Sequence, residues 1–544
     1  MSIIGKMQDW RLTVNKVIEH AKINYPRQRV ITRTVEGPIV EKTYSEIYDR
    51  SKQVSNALKG DGIKKEDRVA TLAWNGCRHM ETWFGAMGIG AVLHTINPRL
   101  HPDQIAWIAN DAEDKVLFVD LTFLPLIEAV KDKFETVERF VIYCDPENMP
   151  ATELKNAIAY ELYIDGQSQE CVWGDFDETT PCGLCYTSGT TGNPKGVLYS
   201  HRSNVLHTLM TGMTDALGIS IHDRVLPIVP MFHANAWGLT FACPAIGAEM
   251  VMPGPAMDGA SIYEMLTKYK VTISAAVPTV WLMLLQHLEQ NDLQLPDLTR
   301  VVIGGSAVPE RILRTFQDKY GVEVGHAWGM TETSPIGTVG GPTGNWDELT
   351  FDEQVEKTMK QGRPIFGVEL RTVDLDDPSK VLPRDGESSG ALHIRGPWVV
   401  KRYFKAEEDA IDAEGWFNTG DVAILHPDGT MQITDRTKDV IKSGGEWISS
   451  VELENAAVGH PAVAEAAAIG MMHPKWDERP VLFVVKQAGK EVTAEEVINF
   501  LSDKVAKWWL PDAVEFVDDI PHTATGKISK KDLRDRFSDY QLEI

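Results

Sequence analysis

Hydrophobic and polar positions along the chain follow two kinds of pattern. In the first half, short apolar runs at residues 68–73, 116–119 and 140–143 alternate with segments whose apolar residues recur at helical spacing, such as residues 45–61 and 80–87. Short apolar runs predict buried strands, and a period near 3.6 residues predicts amphipathic helices. Because strands that alternate with helices are typical of βαβ units, we predict a largely parallel sheet.

The same alternation returns after residue 270. Residues 272–277 form an apolar run before a helical pattern at residues 280–287, and the run at residues 300–305 ends in two glycines. From about Gly362 the pattern changes to short β-type runs between Gly, Pro and Asp residues. These runs predict a small barrel-like or meander unit over about residues 362–434.

The last fifth of the chain returns to strands that alternate with helices and ends in a charged tail. We therefore predict a boundary at residues 435–439, between an N-terminal domain of residues 1–434 and a C-terminal domain of residues 440–544. The predicted fold class is α/β. It combines a large domain of αβ-layered sheets, a small β-barrel-like subdomain and a small C-terminal α+β domain.

Composition excludes several classes of protein. A length of 544 residues excludes a single small binding module, and 43% hydrophobic residues with 24% charged residues exclude disorder as the dominant state. The net charge of −24 excludes a general affinity for nucleic acid or anionic membranes, although a local basic cleft can still bind phosphate. Six cysteines are too few for a disulfide scaffold and predict reduced thiols.

The sequence predicts a cytoplasmic protein without a membrane span. Lys6, Asp9 and Arg11 occupy the place where a signal peptide has its apolar core. Residues 225–248 contain no Asp, Glu, Lys or Arg, but three prolines, a histidine and an asparagine interrupt this stretch. Such groups are costly in lipid, so we do not interpret it as a transmembrane helix.

The strongest local pattern is residues 186–197 (YTSGTTGNPKGV). Glycines let backbone N–H groups approach phosphate oxygens, the hydroxyls add donors, and Lys195 adds a positive charge. The pattern differs from the Walker motif, in which Lys and Ser or Thr follow the second spaced glycine directly. A flexible linker explains neither the apolar run before this segment nor Lys195 inside it, so we predict a phosphate-binding loop.

This loop resembles the phosphate-binding motif of the adenylate-forming superfamily, which includes acyl-CoA synthetases, luciferases and the adenylation domains of peptide synthetases. Four further segments resemble motifs of that superfamily and follow in its order. They are the adenine and magnesium motif at residues 326–333 (HAWGMTET), the ribose motif at 415–421 (GWFNTGD), the hinge at 435–446 and the catalytic lysine segment at 525–527 (TGK). The resemblance covers nearly the whole chain and implies a C-terminal domain that moves.

The resemblance implies that ATP, Mg²⁺ and coenzyme A bind to this chain. Glu332 and Thr187 offer the hard oxygen atoms that Mg²⁺ prefers. Trp328 offers a flat face to adenine, where the superfamily more often has Tyr, and Asp421 can accept both ribose hydroxyls. The implied ATP- and AMP-binding set is Thr187, Ser188, Gly189, Thr190, Thr191, Lys195, Gly305, Ser306, Ala307, His326, Ala327, Trp328, Gly329, Met330, Thr331, Asp421, Arg436, Lys438 and Lys442.

Four cationic residues at motif positions, Arg436, Lys438, Lys442 and Lys527, predict an anion site on this acidic chain. The resemblance assigns Lys527 to the α-phosphate and carboxylate during adenylation, Lys438 to the hinge, and Lys442 to the alternate domain orientation. Catalysis of this kind depends on positioning and charge stabilisation. The implied catalytic set is Lys527, Glu332, His233 and Lys442.

The acyl and coenzyme A sites are also implied by resemblance. Residues 230–238 (PMFHANAWG) are similar to the segment of fatty acyl-CoA synthetases that carries a tryptophan gating the acyl tunnel. Trp237 matches this gate and His233 lies at the carboxylate position, although a buried structural Trp and His remain an alternative. The acyl set is His233, Trp237, Gly305 and Pro335, and the coenzyme A set is Lys442, Gly444, Gly445 and Trp447.

These features predict an ATP-dependent carboxylate–CoA ligase that forms an acyl-AMP and then a thioester. We favour a short acid such as 3-(methylthio)propanoate over a medium- or long-chain fatty acid, and the fatty acyl relatives suggest a homodimer. An amino-acid adenylation enzyme typically has an Asp within the segment at 231–238, and this chain has none. A luciferase-like oxygenase lacks specific support. A non-catalytic adenylate-binding regulator is disfavoured because Lys195, Glu332 and Lys527 are all retained.

Two further segments receive no catalytic role: a pair of cysteines is interpreted as structural, and a glycine-rich stretch has two possible roles. Cys182 and Cys185 form a single CxxC pair without a second pair, so we predict structural thiols. The stretch at residues 340–346 (GGPTGNW) either borders the acyl pocket or forms an ordinary surface loop.

Overall fold

The computed structural model describes residues 5–187, 193–444, 446–523, 527–540 and 542. The helices in these ranges are α1 Asn15–Asn24, α2 Tyr44–Gly60, α3 Cys77–Gly88, α4 Pro102–Ala112, α5 Leu124–Glu128, α6 Tyr160–Ile164, α7 His201–Thr211, α8 Leu239–Ile246, α9 Gly259–Lys268, α10 Pro278–Gln290, α11 Glu310–Arg314, α12 Phe351–Met359, α13 Ser450–Val458, α14 Ala494–Leu501 and α15 Lys530–Arg536. None of them is long and apolar enough to cross a membrane.

The strands up to residue 364 build two large sheets. They are β1 Arg29–Arg33, β2 Ile39–Thr43, β3 Arg68–Leu72, β4 Val92–Thr95, β5 Asp114–Asp120, β6 Arg139–Tyr143, β7 Ile158–Ala159, β8 Pro181–Tyr186, β9 Gly196–Ser200, β10 Arg224–Pro227, β11 Glu249–Met252, β12 Ile273–Ala276, β13 Arg300–Gly304, β14 Glu323–Gly329, β15 Ile336–Val339 and β16 Arg363–Pro364. The predicted runs at 68–73, 116–119, 140–143, 272–277 and 300–305 all lie on these strands, within one or two residues at each end.

Both sheets are largely parallel. One has the order β16-β15-β14-β13-β12-β10-β11-β1-β2, with parallel pairing from β1 through β14 and antiparallel strands only at its two edges. The other has the order β7-β6-β5-β3-β4-β8-β9, and only the hairpin of β8 and β9 is antiparallel. The predicted parallel arrangement is therefore confirmed.

The largest apolar cluster joins the two sheets through the helices between them. Helix α3 is buried along almost its whole length, and its buried Glu81 is paired with Arg50 and with the Tyr160 hydroxyl. Helix α2 begins at a capping box in which Thr43 and Glu46 exchange side-chain and backbone hydrogen bonds. The cluster contains side chains from both sheets and from helices α1, α3 and α8, among them Ile18, Trp83, Phe118, Phe241 and Val302.

The β-rich unit is a meander. Its strands, β17 Glu369–Val373, β18 Ser389–Arg395, β19 Phe417–Leu425 and β20 Met431–Arg436, are antiparallel and pair in chain order. Among the described residues the first and last strands of this order do not pair, so the sheet stays open. Of the two predicted forms, barrel-like and meander, the structure has the meander, because each strand pairs with its neighbours in chain order.

The C-terminal unit contains a mixed sheet covered by helices α13, α14 and α15. Its strands are β21 Ile441–Ser443, β22 Glu446–Ile448, β23 Val463–His473, β24 Asp477–Lys486 and β25 Ala513–Phe516, in the order β22-β21-β24-β23 with β25 beside β24. Strand β20 ends at Arg436 and strand β21 begins at Ile441. The two sheets are therefore connected by residues 437–440, which overlap the boundary predicted at residues 435–439. The division into domains stays a prediction.

Candidate active site

The phosphate loop is the connection between β8 and β9. Tyr186 pairs with Gly196 in the antiparallel ladder, and the Thr187 N–H donates to the Lys195 carbonyl at 2.9 Å. The two ends of the loop are thus closed as a hairpin whose flanks carry Thr187 and the exposed side chain of Lys195. The predicted ligands Ser188, Gly189, Thr190 and Thr191 lie outside the described residues.

The magnesium motif follows the end of β14. Gly329 makes the tight turn possible, since a Cβ at this position would lie 1.9 Å from the Pro335 carbonyl oxygen. Glu332 is 8% exposed, and its Oε1 accepts a hydrogen bond from the Tyr403 hydroxyl at 2.8 Å. Burial raises the pKa of Glu332, and the bond from Tyr403 opposes this shift.

The donor set at this motif fits Mg²⁺. Glu332 and Thr187 supply hard oxygen atoms, and among the described residues no group of three or more His, Cys, Asp or Glu side chains could hold a metal ion. Mg²⁺ characteristically binds to one or two protein oxygens and completes its octahedron with phosphate oxygens and water. The oxygen atoms of Glu332 and Thr187 therefore fit Mg²⁺ that arrives with a nucleotide.

Trp328 and Asp421 are joined directly. The Trp328 indole N–H donates to Asp421 Oδ2 at 2.9 Å, and Arg436 Nε lies 3.3 Å from the other carboxylate oxygen of Asp421. The indole fits because Gly337 lies beneath it, where a Cβ would come within 2.5 Å of the ring. Where the superfamily more often has a tyrosine with its hydroxyl, this chain has Trp328 with its indole N–H. This N–H orients the carboxylate of Asp421, which is predicted to bind ribose.

The loop of Gly305, Ser306 and Ala307 follows β13. The ring of His326 forms a hydrogen bond with the backbone of Ser306 in this loop. Gly305 has a φ of 87°, a conformation that glycine adopts without strain. His326 is 1% exposed, and its ring lies between the Met359 carbonyl, at 3.0 Å, and the backbone of Ser306. Burial lowers the pKa of His326 to about 4, so the ring is neutral. The hydrogen bonds of the His326 ring go to the protein backbone, although His326 was predicted to bind the nucleotide.

The candidate acyl segment contains a left-handed turn. Ala234, Asn235, Ala236, Trp237 and Gly238 have successive φ values of 43°, 60°, 50°, 55° and 81°. Residues other than glycine are disfavoured in this region by about 1–2 kcal/mol each, so tertiary contacts must hold the turn. The spacing of these residues gave no sign of this conformation.

Several contacts fix this turn at its two ends. Before it, the Met231 N–H donates to Asn75 Oδ1 at 2.6 Å. After it, Gly238 approaches the ring of His207 so closely that a Cβ would lie 2.6 Å from Cε1. The Trp237 ring packs on Gly304, where a Cβ would lie 3.1 Å from Cη2. Gly304 was not predicted as part of the site, although the two glycines after the apolar run at 300–305 were visible.

Lys527 reaches the site from the C-terminal unit. Burial and the Arg436 guanidinium lower the pKa of Lys527 to about 8, and the carboxylates of Asp421 and Glu332 oppose this shift. The same ammonium group lies close to His233, whose pKa falls to about 4, mainly through burial. Residues from distant parts of the sequence thus meet in one electrostatic cluster.

The predicted cationic set is divided between two places. Lys442 lies at the surface, where its Nζ is 3.0 Å from Asp376 Oδ1 and 4.7 Å from the centre of the Trp447 ring. It does not join Arg436 and Lys527 in this domain orientation, so the expectation of one common anion site is corrected. Lys438 lies in the connection between the units, and burial lowers its pKa.

The candidate coenzyme A residues lie around the turn between β21 and β22. Gly444 has a φ of 60°, and a Cβ there would lie 2.8 Å from the Trp476 ring. The Gly444 N–H donates to the Trp476 carbonyl at 2.8 Å. Gly445 lies outside the described residues. Trp476 was missed from the sequence, because nothing near it in the chain marks it as a neighbour of Gly444.

The remaining sequence predictions concern loops and thiols. Pro335 follows the magnesium motif, and its carbonyl accepts from the Met330 N–H at 3.1 Å. Cys182 and Cys185 are free and buried on β8, and burial raises the pKa of both, as expected for structural thiols. Residues 341–348 form a partly to fully exposed loop, which favours the surface alternative for the glycine-rich stretch.

Comparison with known families supports the fold and the order of these motifs. The sequence profile described as "AMP-binding enzyme" matches residues 18–404, and the profile "AMP-binding enzyme C-terminal domain" matches residues 452–527. Among solved structures, the anthranilate CoA ligase AuaEII in complex with anthranoyl-AMP is similar with a TM-score of 0.86 and 26% identity, and 98% of each chain is covered.

Two curated relatives are equally similar to this chain. The 3-methylmercaptopropionyl-CoA ligase of Ruegeria lacuscaerulensis is 46% identical over 99% of each chain. The medium-chain-fatty-acid–CoA ligase of Ectopseudomonas oleovorans is also 46% identical, over 99% of this chain and 98% of the relative. The predicted adenylate-forming fold and the predicted acyl-CoA ligase class are confirmed. The chain belongs to the AMP-binding enzyme family.

Proposed function

We propose that this AMP-binding enzyme joins a short carboxylic acid to coenzyme A in two steps, with ATP as the source of energy. The observation that carries the proposal is the position of Lys527, which lies within electrostatic reach of Asp421, Glu332 and His233 although it belongs to the C-terminal unit. A cation at the meeting point of the ribose, magnesium and acyl residues is suited to an adenylation step, in which charge accumulates on the α-phosphate.

In the first step, the carboxylate attacks the α-phosphorus of ATP, and pyrophosphate leaves. Lys527 stabilises the charge on the phosphate oxygens and on the incoming carboxylate. Asp421, oriented by Trp328 and Arg436, accepts the ribose hydroxyls. His233 stays neutral near pH 7 because its pKa is about 4, so it can donate one hydrogen bond to the acid without adding a second charge beside Lys527.

Glu332 and Thr187 would hold Mg²⁺, which when bound neutralises the charge of the ATP phosphates. Lys195, at the end of the phosphate hairpin, adds a second positive charge on the same side. In the second step, the C-terminal unit rotates about Lys438, and the coenzyme A thiol displaces AMP from the acyl-AMP. Rotation would bring Lys442, Gly444, Gly445 and Trp447 to the site in place of Lys527.

A short acid such as 3-(methylthio)propanoate is our preferred substrate. Trp237 is 9% exposed and packs on Gly304, so its ring occupies space that a long chain would need. Met231 is fully buried close to this segment, and polarisable thioether and aromatic side chains suit a thioether substrate. A medium- or long-chain fatty acid is the alternative, supported by the equal similarity to a medium-chain ligase.

A substrate panel tests this function and its specificity. We expect kcat/KM to be highest for butanoate or 3-(methylthio)propanoate and lower for octanoate and palmitate. A pocket that accepted the whole chain would instead reward each methylene by about 0.8 kcal/mol, or roughly fourfold. Trp237→Ala should raise the octanoate value relative to 3-(methylthio)propanoate by about tenfold, since it opens the pocket.

Trp10→Ala is the matched control, because Trp10 is 60% exposed and lies in the N-terminal segment. It should leave the chain-length profile unchanged. A value that rises steadily to palmitate in the unmodified protein contradicts the short-acid proposal. If the chain-length profile of Trp237→Ala is unchanged, the assignment of Trp237 as the gate is wrong. If no acid causes release of pyrophosphate from ATP, the proposed ligase activity is wrong.

Three further expectations extend this proposal. A cytoplasmic location, a homodimer and the lack of a nucleic-acid partner follow from the sequence and stay predictions. The net charge of −24 supports the last of them.

A further inference from the structure

Residues 398–404 cross the candidate active site and contact both its metal-binding and its phosphate-binding elements. We call this segment the strap. The Val400 N–H donates to the Glu332 carbonyl at 2.8 Å, and the Phe404 N–H donates to the Gly196 carbonyl at 2.8 Å. The Trp398 carbonyl accepts from the Ser334 hydroxyl at 2.8 Å. The strap is therefore bonded to the magnesium motif near one end and to the phosphate hairpin at the other.

Tyr403 lies between these two attachments. Its hydroxyl donates to Glu332 Oε1 at 2.8 Å. Lys195 Nζ lies 5.0 Å from the centre of its ring, within the range of a cation–π contact. Burial and the neighbouring Glu332 carboxylate raise the pKa of Tyr403, so the phenol keeps its proton and remains a donor.

We propose that Tyr403 is a positioning residue that aligns the Glu332 carboxylate for Mg²⁺ and at the same time places Lys195 for the ATP phosphates. This inference rests on the proposed function, because it assumes that Mg²⁺ and ATP bind at these two elements. Tyr403 touches neither the reacting atoms nor the metal, and it acts only through the two residues that it contacts.

The hydroxyl is needed because Glu332 is buried. A buried carboxylate has lost hydrogen bonds to water, and the bond from the Tyr403 hydroxyl replaces one of them. The bond also fixes one carboxylate oxygen, which leaves the other oxygen directed for a cation. Partners that orient a metal ligand in this way commonly change metal affinity by 10- to 100-fold.

The ring is needed for a separate reason. Lys195 is exposed, and a flexible ammonium side chain loses less freedom on binding phosphate when it already lies over an aromatic face. The two contacts of Tyr403 can therefore be separated by substitution. Tyr403→Phe removes the hydroxyl and keeps the ring, whereas Tyr403→Leu removes both.

Metal binding provides a readout that is independent of turnover. We would titrate Mn²⁺, detected by electron paramagnetic resonance, into protein saturated with α,β-methylene-ATP, and separately titrate the analogue at saturating Mn²⁺. Tyr403→Phe should weaken Mn²⁺ binding by about tenfold and leave the analogue affinity within about twofold. Tyr403→Leu should weaken both.

Tyr269→Phe is the matched control, since Lys268 Nζ lies 5.4 Å from that ring and Tyr269 lies outside the site segments, between the acyl segment at 230–238 and the loop at 305–307. It should leave both affinities unchanged. The proposal is overturned if Tyr403→Phe binds Mn²⁺ as the unmodified protein does, or if it loses analogue affinity as strongly as Tyr403→Leu. Because Phe keeps the size of the side chain, its folding is checked by an unchanged melting temperature.

The failure of this inference and that of the proposed function are distinguishable. If no acid supports ATP–pyrophosphate exchange in the unmodified protein, the ligase is wrong, and the Mn²⁺ titrations still decide the role of Tyr403. If exchange occurs and Tyr403→Phe shows the same Mn²⁺ dependence of exchange as the unmodified protein, the ligase stands and the role of Tyr403 is wrong.

Discussion

In the proposed function, Lys527 is the single side chain on which the adenylation step depends most. It lies near one guanidinium, that of Arg436, and two carboxylates, those of Asp421 and Glu332. Since burial and Arg436 together lower its pKa to about 8, its charge is complete below that pH and is lost as the pH rises through it. A residue whose task is to stabilise phosphate charge is active only in its protonated form.

Lys527→Ala should slow acyl-AMP formation by about 10²-fold or more and spare thioester formation from supplied acyl-AMP. In the unmodified protein, kcat/KM for ATP should fall above pH 8, because this parameter reports the free enzyme. Stopped-assay measurement of each half-reaction checks both statements, with the exposed neighbour changed in Lys531→Ala as the control. An equal loss in the two half-reactions would contradict the assigned role.

At the scale of elements, the connection between β20 and β21 joins the two units and contains the proposed hinge. Thr437 is fixed to the N-terminal unit by its N–H, which donates to the Gly420 carbonyl at 2.9 Å. Asp439 and Val440 donate their N–H groups to the Arg436 carbonyl, at 2.9 and 2.8 Å. Lys438 lies between these bonded residues, which supports its assignment as the residue whose φ and ψ change.

Lys438→Pro should hold the chain in one domain orientation, because proline fixes φ near −65°. We expect acyl-AMP formation to continue within about threefold and thioester formation to fall by at least tenfold, the effect of 1.4 kcal/mol. Lys438→Ala, which keeps backbone freedom, is the comparison, and both half-reactions are measured by rapid quench. Survival of both steps in Lys438→Pro would show that the boundary at 435–439 is misplaced.

At the scale of the whole molecule, the polar contacts that join the two units differ in burial, as two of them show. Asp435 is 1% exposed and accepts from the Ser450 N–H at 2.5 Å and from its hydroxyl at 2.7 Å, with the Lys530 ammonium nearby. The Lys442–Asp376 pair lies at the surface. A buried charged hydrogen bond contributes about 1.5–3 kcal/mol, whereas an exposed ion pair contributes about 0–1 kcal/mol.

Asp435→Asn should therefore lower the rate of acyl-AMP formation by about tenfold, since it weakens the contact that favours this domain orientation. Asp376→Asn should change the same rate by no more than about twofold. ATP–pyrophosphate exchange, compared with thioester formation from supplied acyl-AMP, measures the shift. Equal effects of the two substitutions would mean that the buried contact does not set the orientation.

The sequence by itself determined the features that depend on local backbone chemistry. Apolar runs and helical periodicity predicted the parallel sheets. The glycines and hydroxyls before Lys195 predicted a phosphate-binding loop, and the structure has a connection between β8 and β9 at that place. The end of the pattern of short strands also predicted a boundary at 435–439, which overlaps the connection between β20 and β21. Such features need only neighbours in the chain, which a sequence displays directly.

The tertiary structure alone decided which distant residues meet. It placed Tyr403 between Glu332 and Lys195, directed His326 toward backbone carbonyls, and moved Lys442 to the surface beside Asp376. It also bent residues 234–238 into a left-handed turn that Gly304 and His207 support. These contacts depend on packing between segments far apart in the chain. Neither the periodicity nor a local motif of the sequence indicates which distant side chains will be in contact.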